Sequence, residues 1–267
     1  MTSELQRYFS RIGYTGSAGP TLANLRQITW LHQLAIPFEN LDIVLFRKPI
    51  SLATEDIYVK LVDRGRGGFC FEQNGLLGLI LSFMGYAVSY GYATWPDEDG
   101  TEIAPFDHLL LQVGIPGEPD PWLADVGFGR QSPARPIPLV AGREQHHPET
   151  GITYRVLPSE RQNRQWLVQF RDQDGSWALF YDLDLRARGM SDYEHRSQYH
   201  QTSPESHFTR GMICSRSVAG GRVTVADGKL ILTGNGEREE RPLAGRDEEL
   251  AALREWFGIE ADQEDHA

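Results

Sequence analysis

Apolar side chains recur at helical spacing through the first third of the chain and at strand spacing beyond it. Leu5, Tyr8, Phe9 and Ile12 follow Thr2 and Ser3 in the three- and four-residue steps of one helix face, and Gly13 supplies a stop. Leu22, Leu25, Ile28, Leu31 and His32 repeat that pattern, which Pro37 ends. A third helix is predicted from about Thr54, carrying Ile57, Leu61 and Val62 and stopping at the RGRGG turn of residues 64–68. A fourth starts close to Cys70 and runs toward Gly85, with Leu76, Leu77, Ile80, Leu81 and Met84 as its buried face. The period then changes. AVSYGYATW, HLLLQV, WLADVG, TYRVL, QWLVQF and SWALFYDL are short, rich in β-branched and aromatic residues, and separated by Gly, Pro and Asp, which predicts an antiparallel sheet or small barrel. GRVTVADGKLILTG reads as a hairpin turning at Asp227-Gly228. DEELAALREWFG reads as an amphipathic helix with Leu250, Leu253 and Phe257 on one face, and the acidic tail after Gly258 is expected to fray.

Composition narrows this picture. The 267 residues, 40% of them hydrophobic, can bury a sizeable core as one large or two to three small domains. A formal net charge of −11 argues against a broad basic surface for nucleic acid. Two cysteines, Cys70 and Cys214, do not make a disulfide framework and fit a reducing compartment. MTSELQRYFSRIGY has no apolar core flanked by a cleavage site, and no run reaches membrane-spanning length. The expectation is a cytoplasmic protein with neither a membrane nor a nucleic-acid partner.

The stretch RGRGGFCFEQNG places Cys70 after three glycines and before an apolar run. Most free cysteines serve as small buried hydrophobes. Here Gly65, Gly67 and Gly68 allow a sharp turn, and Cys70 falls in the first turn of a helix, where unpaired amides and the dipole favour a thiolate. The same amides can hold an oxyanion. A phosphate-binding loop is a poor match, because the Gly-Lys-Ser/Thr ending is missing. Cys214 has no obvious partner and reads as structural.

A thiol nucleophile needs a base, and the base needs an orienting group. His146 and His147 lie in a polar stretch, His195, His200 and His207 in a polar, loop-like region, His266 in the tail, and His32 on a helix face. His108 differs, because it opens the strand HLLLQV. A hairpin centred near Gly117 sets His108 and Asp125 opposite each other, or nearly so, on one face. A carboxylate there fixes the imidazole tautomer and supports its charged form. A one-residue slip would separate the two side chains.

At this point the chain resembles the arylamine N-acetyltransferases, through YFSRIGY, PFENLD at 37–42, RGGFCFEQNGLL at 66–77, DHLLLQV and ADVGFG at 124–129, in the family's order and approximate spacing. SPESHFTRGMICSR and the hairpin after it match more loosely. The resemblance implies an α+β, papain-like cysteine-triad fold in three parts. These are a helical bundle carrying the nucleophile (1–86), an antiparallel β-barrel carrying His and Asp (87–195), and a C-terminal α/β lid (196–267). It implies a triad of Cys70, His108 and Asp125, and Arg11, Glu39 and Arg66 as structural support. Phe38 and Phe128 would line the acceptor pocket, and Gly127 and Gly129 would flank the acyl-donor entrance. The implied reaction is ping-pong transfer of acetyl from acetyl-CoA, a co-substrate rather than a bound cofactor, through a Cys70 thioester to an arylamine or arylhydrazine, with no metal. For the donor phosphates the expectation is amides near 127–129 and arginines such as Arg130, Arg210 or Arg216. The alternatives are a macrolactam-forming amide synthase or another acyl-CoA-dependent acyltransferase of the same fold, a cysteine hydrolase, and a binding module with an inert cysteine.

Overall fold

The computed structural model describes residues 2–94, 104–129, 132–161, 164–171, 175–234 and 237–260. Trp95, Arg130 and the tail with His266 lie outside them.

The helical part begins with α1 (Ser3–Ile12), capped by the Thr2 hydroxyl and ended by Gly13 in the left-handed region. Next comes α2 (Leu22–Ala35), capped by Thr21 and ending just before Pro37. Within PFENLD the chain forms β1 (Phe38–Glu39) and one turn of helix, α3 (Leu41–Val44). The third expected helix is α4 (Thr54–Tyr58), continued as a π-helical turn over Val59–Asp63. The fourth is α5 (Cys70–Phe83), buried along nearly its whole length.

The strands form an antiparallel sheet with the order β5-β4-β3-β2-β9-β8-β7-β6. These are β2 (Ala87–Thr94), β3 (His108–Gly114), β4 (Trp122–Ala124), β5 (Ile137–Pro138), β6 (Gln145–His147), β7 (Ile152–Pro158), β8 (Trp166–Arg171) and β9 (Ala178–Arg188). An Ala141–Val156 bridge brings the β5 end toward β7, so the sheet curls into a nearly closed barrel. Its interior holds Leu110, Leu123, Tyr154, Val168, Phe180 and Tyr181. The helices pack on the outer face of β2 and β3, where Leu109, Leu111 and Val113 join the core of α1, α2 and α5.

After the barrel come α6 (Glu194–Thr202) and α7 (His207–Arg210). A second sheet follows, β1 with β10 (Ile213–Val218), β11 (Gly221–Ala226), β12 (Lys229–Gly234) and β13 (Glu237–Pro242), and then α8 (Arg246–Phe257). Asp227-Gly228 forms the expected turn, both residues having positive φ, and Leu253 and Phe257 of α8 pack on Val223 and Val225. Cys214 is buried in that core, which agrees with a structural role.

Two readings of the sequence change. The segment around His195, His200 and His207 is helical, not loop-like. EHRSQYHQT has no apolar stripe to betray a helix; this one is held by tertiary contact of Ser197 and His200, both buried. His147 is fully buried on β6, accepting the Arg135 amide at 3.3 Å, so that stretch is not uniformly polar.

Candidate active site

The turn ahead of Cys70 is braced from three sides. The Arg11 guanidinium donates to the carbonyls of Leu61 (3.2 Å), Gly65 (2.9 Å) and Arg66 (3.4 Å). Arg66, itself buried, pairs with Glu39 at 2.8 Å and Asp42 at 3.0 Å. Lys60 pairs with Glu72 at 2.7 Å, and Glu72 accepts the Phe69 amide at the start of α5 (3.2 Å). Burial first, then the neighbouring Glu39 and Asp42, push the Glu72 carboxyl up to about 7 against the pull of Lys60. A side chain on Gly67 would place Cβ 2.0 Å from the Pro37 carbonyl, so the turn admits only glycine there. Below it, neutral His32 accepts from Tyr8 Oη (2.8 Å) and donates to Gln73 Oε1 (2.7 Å). Burial depresses the His32 pKa to about 4. Gln73 in turn donates to Pro37 O (2.6 Å), so α1, α2 and α5 are cross-linked under the thiol.

Cys70 is the first residue of α5, almost fully buried, and its Sγ donates to the Asp107 carbonyl at 3.9 Å. His108 opens β3 and its Nε2 lies 2.8 Å from Asp125 Oδ2. The Cys70 side chain lies beside the same ring and favours its charged form. The structure therefore brings the three sequence-predicted residues together from α5, β3 and the end of β4. Burial works against a charged His108, but Asp125 outweighs it, and Cys70 adds to the same effect, raising the imidazole pKa to about 10. Burial likewise opposes ionisation of Asp125; His108, Asn74 and the Gly127 amide overcome it and hold the carboxyl below its usual range.

The hairpin that delivers Asp125 differs in register from the sequence expectation. Leu111 pairs with Ala124, so continued pairing would face Asp125 to Leu110, not His108. The ladder stops at Ala124, and Asp125 is a diagonal neighbour of His108 on the same face, close enough for the short contact. Asn74 explains how it is held. Its Nδ2 donates to Asp125 Oδ1 (3.0 Å) and Leu109 O (2.7 Å), while its Oδ1 accepts the Val126 amide (3.0 Å). The Gly127 amide also donates to Asp125 Oδ1 (2.9 Å), and Tyr181 Oη donates to Oδ2 at 3.3 Å. Sequence reasoning missed both Asn74 and Tyr181. Asn74 stands four residues after Cys70, hence on the same helix face, which is a legible signal. Tyr181 carries none, because the β9 register against β2 is set by a bulge between Tyr90 and Tyr92.

The thiol and imidazole open into a cleft of about 610 Å³. Phe38, Phe128, Gly127 and Gly129 all line it, joined by Phe208 of α7 and by residues of β10–β13. Phe128 sits edge-on to His108 (5.0 Å) and to Phe180 (4.7 Å). A Cβ on Gly127 would fall 2.7 Å from Cys70 Cα, so the loop after Asp125 touches Cys70 only because that residue is glycine. Among the expected anion donors, two amides are engaged within the protein and one arginine lies away from the cleft. The amides of Gly127 and Phe128 are already taken, by Asp125 and by Ser132 Oγ (2.8 Å). Arg216 does not reach the cleft; it binds the carbonyls of Leu34 (3.2 Å) and Trp256 (2.8 Å), tying α2 to α8. Among the described residues, the arginines lining the cleft are Arg210, Arg222 and Arg238; Arg130 lies outside them.

This arrangement can generate a thiolate beside an imidazolium, next to the first-turn amides of a helix, in an aromatic enclosure. A family model described as N-acetyltransferase matches residues 21–266. Arylamine N-acetyltransferase of Mycolicibacterium smegmatis is 34% identical over 265 residues, 97% of this chain and 93% of the relative. That of Escherichia coli is 34% identical, covering 100% and 92%. The solved structure of Mycobacterium marinum arylamine N-acetyltransferase in complex with CoA superposes with a TM-score of 0.84 at 33% identity, over 96% of this chain and 92% of that one.

Proposed function

The chain belongs to the arylamine N-acetyltransferase family, and from that premise we propose that it moves acetyl from acetyl-CoA to an aromatic amine or hydrazine through a thioester on Cys70. The observation that carries the reading is the connected relay: Cys70 against His108, and His108 Nε2 at 2.8 Å from a fully buried Asp125. Cys70 Sγ, as thiolate, attacks the thioester carbonyl. The first-turn amides of α5 stabilise the oxyanion, and its collapse expels the CoA thiolate, which His108 protonates. The acetyl-enzyme is then attacked by the amine nitrogen. His108 accepts the amine proton, Asp125 stabilises the imidazolium, and the Cys70 thiolate leaves.

The donor is assigned to the arm of the cleft along β10–β13. That arm carries Arg222 and Arg238, and the bound CoA of the M. marinum relative shows that this kind of scaffold accepts such a molecule. The acceptor is assigned to the ring-walled end formed by Phe38, Phe128 and Phe208. Rings there exclude water and favour aminolysis over hydrolysis of the thioester. Aromatic amines are weak bases and so reach this apolar end as neutral nucleophiles.

The test is thiol release from acetyl-CoA with an aromatic hydrazine as acceptor. Initial rates at several fixed acceptor concentrations should give parallel double-reciprocal lines, the pattern of a ping-pong reaction. Intersecting lines, or full activity in Cys70→Ala, would refute the covalent route.

A further inference from the structure

Asp107 precedes His108, yet its carboxylate is engaged by α6 and not by the relay. Its Oδ1 is bound by the Arg196 guanidinium and lies 3.0 Å from His200 Nε2. Its main-chain carbonyl accepts Cys70 Sγ at 3.9 Å. One residue therefore touches the nucleophile through its backbone, carries the base through a peptide bond, and is anchored to another part of the fold through its side chain. Phe106, just before it, has φ of 64°, a left-handed conformation that costs a bulky residue energy and persists only where the surroundings over-determine it. They do so here. The Phe106 ring lies 4.6 Å from that of Tyr92 and 5.4 Å from that of Tyr193, with the Arg188 guanidinium 5.6 Å above it. Burial alone would raise the Asp107 carboxyl, but His200 and Arg196 outweigh it and keep it ionised. His200 also stands edge-on to Phe208 (5.1 Å), which walls the cleft.

We propose that Asp107 is a positioning residue, clamping the strained Phe106-Asp107 turn to α6 so that the Cys70 thiol and the His108 ring are held in register for proton transfer. The acceptor wall at Phe208 and the relay then share one anchor. This rests on the triad reading above.

The test compares wild type with Asp107→Asn, Arg196→Met and Arg196→Lys, with circular dichroism and thermal unfolding recording the folded fraction. Asp107→Asn should lower kcat for acyl transfer and the rate of Cys70 alkylation by iodoacetamide by about tenfold or more per folded molecule, since small misplacements of reacting groups carry penalties of that size. KM for acetyl-CoA should move less than kcat. Arg196→Met should reproduce the loss, and Arg196→Lys, which keeps the charge, should recover part of it; the arginine pair also decides the matter if Asp107→Asn fails to fold. Wild-type alkylation and kcat per folded molecule in Asp107→Asn, or in Arg196→Met where the first does not fold, would overturn the inference alone. A wild-type enzyme whose Cys70 neither alkylates rapidly nor takes up acetyl would overturn the triad reading and this inference with it.

Discussion

Asp125 carries more of the site than its place in a triad requires. Four groups converge on its two oxygens: His108 and Tyr181 on Oδ2, Asn74 and the Gly127 amide on Oδ1. A buried carboxylate so fully satisfied is rigid, and its rigidity fixes which His108 nitrogen faces the sulfur. Asp125→Asn keeps the shape but presents an amide where an acceptor is needed. The expected loss in acyl-transfer rate is on the order of a thousandfold, measured by thiol release, together with a fall in thermal stability below pH 6.5, where the ion pair with His108 is lost. A rate within experimental error of wild type would reduce Asp125 to a strand-end anchor. Much of this was legible beforehand. Cys70, His108 and Asp125 stand in motifs, and a hairpin argument alone placed the last two on one face. Of the side-chain donors around Asp125, Asn74 is marked by its four-residue spacing from Cys70, whereas Tyr181 is not legible, because it reaches Asp125 through a strand register that a bulge resets.

The start of α5 depends on elements far from it in sequence. The π-helical turn at Val59–Asp63 supplies Lys60, α1 supplies Arg11, and β1 supplies Glu39. Arg66→Ala would leave Glu39 buried without its paired cation and Asp42 with Lys60 alone, at a cost of about 3–5 kcal/mol in unfolding free energy. Denaturant titration checks this, and a change near zero would mean that the charge cluster is not a structural unit. Gly127→Ala tests the contact between the loop after β4 and α5. With Cβ 2.7 Å from Cys70 Cα, overpacking should cost about 1–3 kcal/mol and displace the thiol from His108, so activity should fall together with stability. Long periodic helices and alternating strands could be read from the pattern; α3, α6 and α7 could not. They are short or polar on all sides, and tertiary contact decides their conformation.

Across the whole molecule, a helical body carries Cys70, a curled barrel carries His108 and Asp125, and the C-terminal sheet and helices complete the cleft. No helix among the described residues is long and apolar enough to cross a membrane. The relay also links catalysis to global stability. The His108 pKa is raised from 6.5 to about 10, so its ion pair with Asp125 stabilises the fold fully below pH 6.5, as long as Asp125 is ionised. That contribution is lost as pH rises toward 10. The difference in unfolding free energy between wild type and His108→Gln should therefore shrink between pH 6.5 and 10; a constant difference would contradict the shift. The central claim, that acetyl resides on one sulfur between two half-reactions, is tested most directly by mass spectrometry of the intact protein mixed with acetyl-CoA and no acceptor. The account predicts a gain of a single acetyl group, mapped to Cys70, discharged by an aromatic hydrazine and absent from Cys70→Ala. An unmodified protein that still turns over, or an acetyl group mapped to any other residue, would contradict it.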